Sequence, residues 1–122
     1  MESPLATYLK YLDDGRLAYQ VSGPDEVPVF FPRVVAPRTG RTDLAWRISR
    51  GDGTVYATTV VHYKGEAPLN VALIDMDEGF RLMSRVEDIG ASDVKIGMRV
   101  KLRVLPADES RPACPVFTPV LP

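Results

Sequence analysis

The sequence predicts a mostly β protein, a five-stranded oligonucleotide/oligosaccharide-binding (OB) barrel preceded by a short helix and a proline-punctuated segment. Three observations carry that expectation. The run Thr54 to Tyr63, rich in β-branched and aromatic residues, follows the turn Gly51-Asp52-Gly53 and is the strongest strand signal in the chain. Four further strand-like runs come after it, two of them separated by Asp77-Glu78-Gly79, the chemistry of a tight hairpin turn. Between the third and fourth runs, Glu87 to Lys95 loses strand alternation and reads as a loop or single helical turn. A long first strand and a helical turn between strands three and four suit an OB barrel.

The elements follow in order. Ser3 is a helix N-cap with Pro4 at the first helical position, and Leu5, Tyr8, Leu9 and Leu12 recur at helical spacing up to Gly15. From Leu17 to Leu44, prolines 24, 28, 32 and 37 interrupt every longer run, so short strands and knuckle-like turns are expected. The barrel strands are then Thr54–Tyr63, Asn70–Met76, Phe80–Val86, Arg99–Leu105 and Cys114–Val120. In the fourth, Val100, Leu102 and Val104 alternate with Arg99, Lys101 and Arg103, the pattern of a half-buried strand. In the fifth, Pro115 and Pro119 restrict the strand to an edge or to barrel closure.

At 122 residues the chain is one domain or a small module fused to a barrel, and a fold of this size buries roughly two-thirds of its unfolded surface. A net charge of −1 gives no overall attraction for a polyanion, so a nucleic-acid role would need a local patch. The start Met1-Glu2-Ser3-Pro4 carries no basic flank or apolar run, and no stretch approaches the ~18 apolar residues of a membrane span. With one unpaired cysteine, a soluble cytoplasmic protein is expected.

Cys114 is the only cysteine and His62 the only histidine, so a four-ligand thiolate or imidazole site cannot be built within one chain. His62 is also the only imidazole base for a nucleophile, and it falls in the strongest strand with no Gly-x-Ser-x-Gly elbow anywhere in the chain. Cys114 has no neighbouring histidine in sequence and no helix start to activate it. The carboxylates of Asp75-Met76-Asp77-Glu78-Gly79 are explained by the hairpin turn, since the further oxygens of a calcium loop are missing. Phosphate-cradling glycine motifs are absent. The stripe Arg99, Lys101 and Arg103, joined by Arg81 and Arg85, could hold phosphates if those strands were neighbours, but it also reads as a solvated exterior that discourages edge pairing. Phe30, Phe31, Trp46, Tyr56 and Tyr63 divide between core packing and interface anchors.

The order Gly15-Arg16-Leu17, Pro32-Arg33, a knuckle ending in Gly40, Leu44-x-Trp46, Gly51-x-Gly53-x-Val55-Tyr56, Val71-Ala72-Leu73-Ile74, Asp77-Glu78-Gly79, Ile96-Gly97-Met98-x-Val100 and Val116-Phe117-x-Pro119 resembles a family over nearly the whole chain. That family is the acyl-CoA-associated OB-fold proteins with an N-terminal rubredoxin-like zinc ribbon, the domain of unknown function thirty-five. The resemblance implies two parts: residues 1–46, a helix and ribbon, and residues 47–122, an OB barrel. Its second knuckle reads Pro-Arg-x-x-Cys-Pro-x-Cys-Gly, where this chain has Ala36 and Thr39 at the cysteines, and the first knuckle, near Val21 to Pro24, also has no thiol. A degenerate, metal-free ribbon is expected, with no zinc and no other cofactor. The resemblance further implies a non-catalytic accessory subunit that docks on a thiolase-type or hydratase-type enzyme, with acyl-CoA as its ligand and no membrane. No catalytic residue is assigned, and the ligand or interface candidates are Phe31, Arg33, Trp46, Tyr56, His62 and Arg99. The competing readings are an OB module for single-stranded nucleic acid and a hydrolase using His62.

Overall fold

The computed structural model describes residues 3–23, 26–30 and 44–120, and these divide into two compact units. Unit one comprises residues 1–50 with 104–114, and unit two residues 51–103 with 115–122.

Unit one begins with helix α1 (Pro4–Asp13). The Ser3 hydroxyl accepts the Ala6 N–H at 3.1 Å, satisfying one of the donors a helix start leaves unpaired, and Pro4 occupies a first-turn position where no donor is needed. Tyr8 and Leu12 form the buried side of the helix, and the Tyr8 ring meets Phe30 edge-on at 5.7 Å. Leu5, expected on that side, is 59% exposed. Burial pushes the Tyr8 hydroxyl up to about 12, with the nearby Cys114 thiol a smaller cause.

Strand β1 (Ala18–Ser22) is the centre of a three-stranded antiparallel sheet, with β2 (Val27–Val29) and β3 (Leu44–Ile48) on either side. Pro28 fits because β2 is an edge. Trp46, the last residue of the expected helix-and-ribbon part, pairs with Gln20 in this sheet and lies 5.8 Å from the Tyr11 ring. Val21 and Ser22 of the presumed first knuckle are buried strand residues, whereas Ala36 and Thr39 lie outside the described residues.

Unit two contains most of the barrel sheet, whose strand order is β6-β5-β4-β7-β8. The strands are β4 (Asp52–Val61), β5 (Leu69–Met76), β6 (Arg81–Ser84), β7 (Arg99–Leu105) and β8 (Cys114–Pro119). A single 3₁₀ turn, Ala91–Asp93, stands where the sequence lost its alternation. Closure comes from Val86, which pairs in parallel with Phe117: the Glu87 N–H donates to the Phe117 carbonyl at 2.7 Å and the Phe117 N–H to the Arg85 carbonyl at 3.0 Å. A third strand running parallel to the fifth is the closure of an OB barrel, so neither proline in β8 has to serve a central ladder.

Three details modify the expected strands. A bulge between Val55 and Ala57 changes the alternation of β4, so Tyr56 no longer shares a face with Thr58 and Val60. Strand β4 ends at Val61, leaving His62 exposed beyond it rather than within the strand. Strand β6 stops at Ser84 because the Val86 N–H donates not to a strand carbonyl but to the Asn70 side-chain oxygen at 3.0 Å. The barrel interior is filled by Val55, Ile74, Leu82, Val100, Val116 and Phe117, each at most 3% exposed. Gly53 is required by this packing: a Cβ there would lie 2.7 Å from Ile74 Cγ2 and 3.0 Å from the Asp75 carbonyl. Gly79, at φ 103, supplies the left-handed turn between β5 and β6.

Candidate functional site

An OB barrel customarily offers ligands the outer face of its second and third strands, which here means β5 and β6 together with the adjoining part of β4. Cross-strand register builds one row across it: Arg81 opposite Asp75, Asp75 opposite Thr54, and Thr54 opposite Arg99 on β7. These side chains are closed on one another. Arg81 reaches both Asp75 oxygens, at 2.5 and 3.3 Å, while its guanidinium lies 3.5 Å above the Tyr56 ring. Arg99 spans both Asp77 oxygens at 2.8 Å each and donates to Thr54 Oγ1 at 2.9 Å.

The other cations of the stripe expected from the sequence are also matched. Lys101 lies 3.7 Å from Asp52, Arg85 binds Glu87 at 2.6 Å, and Arg103 binds Glu87 and, at 3.0 Å, Asp88. Hydrogen bonds to Asp75, Asp77 and Glu87 raise Arg81, Arg99 and Arg103, respectively, above the usual guanidinium range. The bond from Arg99 in turn holds Asp77 below the usual carboxylate range. Burial pushes Glu87 up, but bonds from Arg103 and Arg85 outweigh it and leave the group lowered. The basic stripe seen in the sequence is therefore not one phosphate track. Strands β6 and β7 are separated by β5 and β4, and a phosphate would have to displace a carboxylate from each of these cations.

Beside the ion-paired row the same face turns apolar. Leu69, Val71 and Leu73 alternate outward along β5, facing Val61, Thr59 and Ala57 on β4, with Met83 on β6 opposite Leu73. Met83 is 66% exposed, Tyr56 50% and Leu69 44%, whereas Ala72, Ile74 and Met76 on the inward side are at most 3% exposed. Ile96 is exposed as well, and its neighbour Gly97 donates to the Val55 carbonyl at 2.8 Å, next to Tyr56 in sequence.

Among the candidate residues, Tyr56 and Arg99 fall on this outer face, and His62 is exposed just past the end of β4. Trp46 belongs to the three-stranded sheet of unit one, and Phe31 and Arg33 lie outside the described residues. Sequence reasoning missed Leu73 and Met83, read Asp75 only as hairpin-turn chemistry and took Arg81 only as part of a basic stripe. Its available signal was Leu69-Asn70-Val71-Ala72-Leu73-Ile74, where apolar residues occupy both parities of a strand, a pattern that asks for cover on two faces. Among the described residues no group of three or more His, Cys, Asp or Glu side chains could hold a metal ion, and no helix is long and apolar enough to cross a membrane. With one cysteine and one histidine in the sequence, a four-ligand thiolate or imidazole zinc site cannot be built within one chain. Cys114 receives Arg111 Nη1 at 3.7 Å.

Fold and surface together define an OB-fold module with a partly exposed apolar outer face. Residues 46–105 match the family model for the ChsH2 C-terminal OB-fold domain. The whole chain is similar to a solved structure titled "Ltp2-ChsH2(DUF35) aldolase", at 29% identity and a TM-score of 0.86, covering 99% of this chain and 98% of that one. A "DUF35 domain-containing scaffold protein" of Methanocaldococcus jannaschii is 35% identical over 80 residues, 60% of this chain and 57% of the relative. A "Probable enoyl-CoA hydratase alpha subunit" of Thermomonospora curvata is 35% identical over 95 residues, 75% of this chain but 30% of the relative. The chain belongs to the DUF35 family of OB-fold proteins. It spans less than two-thirds of the length of these curated relatives.

Proposed function

We propose that the protein is a non-catalytic accessory subunit that docks on a thiolase-type or hydratase-type acyl-CoA enzyme and helps to bind the acyl-CoA there. The observation that carries this reading is the near-complete overlap, 99% of one chain on 98% of the other, with a chain of the solved Ltp2-ChsH2(DUF35) aldolase. The hydratase-subunit and scaffold names of the relatives agree with it. The mechanism is positional: a rigid barrel holds one wall of a site, and binding gains come from orientation rather than from a reactive group on this chain. No zinc enters this reading, because the knuckle positions implied by the family resemblance carry no thiol. The strand cations are already paired with carboxylates, which disfavours the nucleic-acid reading.

The test is to recover the tagged chain from its own cells, identify the enzyme retained, and assay that enzyme with and without the chain. A thioester-processing enzyme whose kcat/KM for acyl-CoA rises with stoichiometric chain is the expected result. Turnover by the chain alone, abolished in His62→Ala, would replace the reading with an autonomous hydrolase, and recovery of RNA would replace it with a nucleic-acid module.

A further inference from the structure

We propose that the outer apolar strip of β4, β5 and β6, centred on Leu73, Met83 and Tyr56, is the docking surface, and that its occupant is an apolar, electrically neutral face of the acyl-CoA enzyme. This rests on the function proposed above and adds where contact is made and by what chemistry. The strip is continuous by register: Val61 opposite Leu69, Thr59 opposite Val71, and Ala57, Leu73 and Met83 in one cross-strand row. A strand that is apolar on both parities needs two covers. The barrel core supplies one, since Ala72, Ile74 and Met76 are buried, while Met83 and Leu69 remain 66% and 44% exposed on the other.

Charge selects the occupant. At the end of the strip Asp75 closes on Arg81 and Asp77 on Arg99, so the face presents matched pairs rather than a net field. An anionic ligand would have to break those pairs. A neutral apolar surface leaves them intact and gains from covering the aliphatic side chains. Tyr56 is already fixed beneath the Arg81 guanidinium at 3.5 Å, and Arg81 is fixed by Asp75, so this anchor loses little freedom when it is covered. Tyrosine, methionine and arginine are also the residue types enriched in the cores of protein interfaces. The class of partner follows from the hydratase-named relative, in which the matching stretch is only 30% of the chain, so that the same fold is there joined to a much longer polypeptide.

The experiment titrates the acyl-CoA enzyme retained by the wild-type chain, once purified, with wild-type, Met83→Glu and Leu73→Asp proteins by calorimetry, and repeats the wild-type titration from low to high salt. The expected result is binding weakened by about 30-fold or more in each variant, with nearly flat salt dependence for the wild type. Met83 is exposed enough that its variant keeps the wild-type circular-dichroism spectrum and melt, which separates lost docking from lost folding. Wild-type affinity in Met83→Glu overturns the surface assignment while leaving the accessory-subunit reading intact, and a steep fall of affinity with salt overturns the neutral occupant. Failure to retain any acyl-CoA enzyme removes both. A concentration-dependent dimer of the purified chain that Met83→Glu converts to monomer assigns the strip to a second copy and overturns the proposal.

Discussion

The two faces of β5 carry similar side chains and meet different fates. Inward, Ala72, Ile74 and Met76 are sealed against the barrel core, and outward, Leu69, Val71 and Leu73 form a strip that the described residues leave partly open to solvent. Apolar character alone therefore does not say which surface a fold uses for itself. Closure does, because the bridge from Val86 to Phe117 curls the sheet and shuts one face away.

The sharpest test of that difference is a matched truncation. Ile74→Ala on the closed face should lose about 2–5 kcal/mol, whereas Leu73→Ala, the next residue on the open face, should lose less than about 1 kcal/mol. Guanidinium melts of the two variants check this, and equal losses would mean that the outer strip is also structural. Next in size is Asn70→Ala. Asn70 donates to Thr58 Oγ1 at 2.8 Å and accepts the Val86 N–H at 3.0 Å, so its removal leaves a buried donor unpaired at the point where β6 departs from the ladder. The expected loss is about 1–3 kcal/mol, with faster amide exchange at Val86 as its local signature.

The smallest effect concerns acid. Glu87 has its folded pKa lowered from 4.5, so its contribution to stability is fully present above that value and is lost as pH falls through the lowered one. Melting temperature followed down through that window should decline less steeply in Glu87→Gln than in wild type. Identical profiles would show that the bonds from Arg85 and Arg103 contribute nothing to folding.

Much of the architecture was legible because it depends on local chemistry. Ser3-Pro4 announced the helix, Asp77-Glu78-Gly79 the hairpin, and the strict alternation of Arg99 to Leu105 gave that strand its observed limits. Pro115 and Pro119 correctly reserved the last strand for closure. Long-range pairing was less legible. Nothing near Trp46 says that its strand partner is Gln20. The bulge at Val55 and Ala57, which takes Tyr56 off the face of Thr58 and Val60, carries no glycine or other marker of its own. The candidate site was half readable: Tyr56 and Arg99 were named, but the stripe of cations looked available because the acids that close on it lie 15 to 22 residues away for Arg103 and Arg99.

By itself the sequence determined the number and order of the barrel strands and the capped helix, since each is written in residue type or short spacing. Only the tertiary structure decided which face of β5 is sealed, which carboxylate each arginine meets and which residue Trp46 pairs with. The physical reason is that burial and charge pairing are properties of neighbours in space, and a closed barrel brings together residues that no sequence window contains.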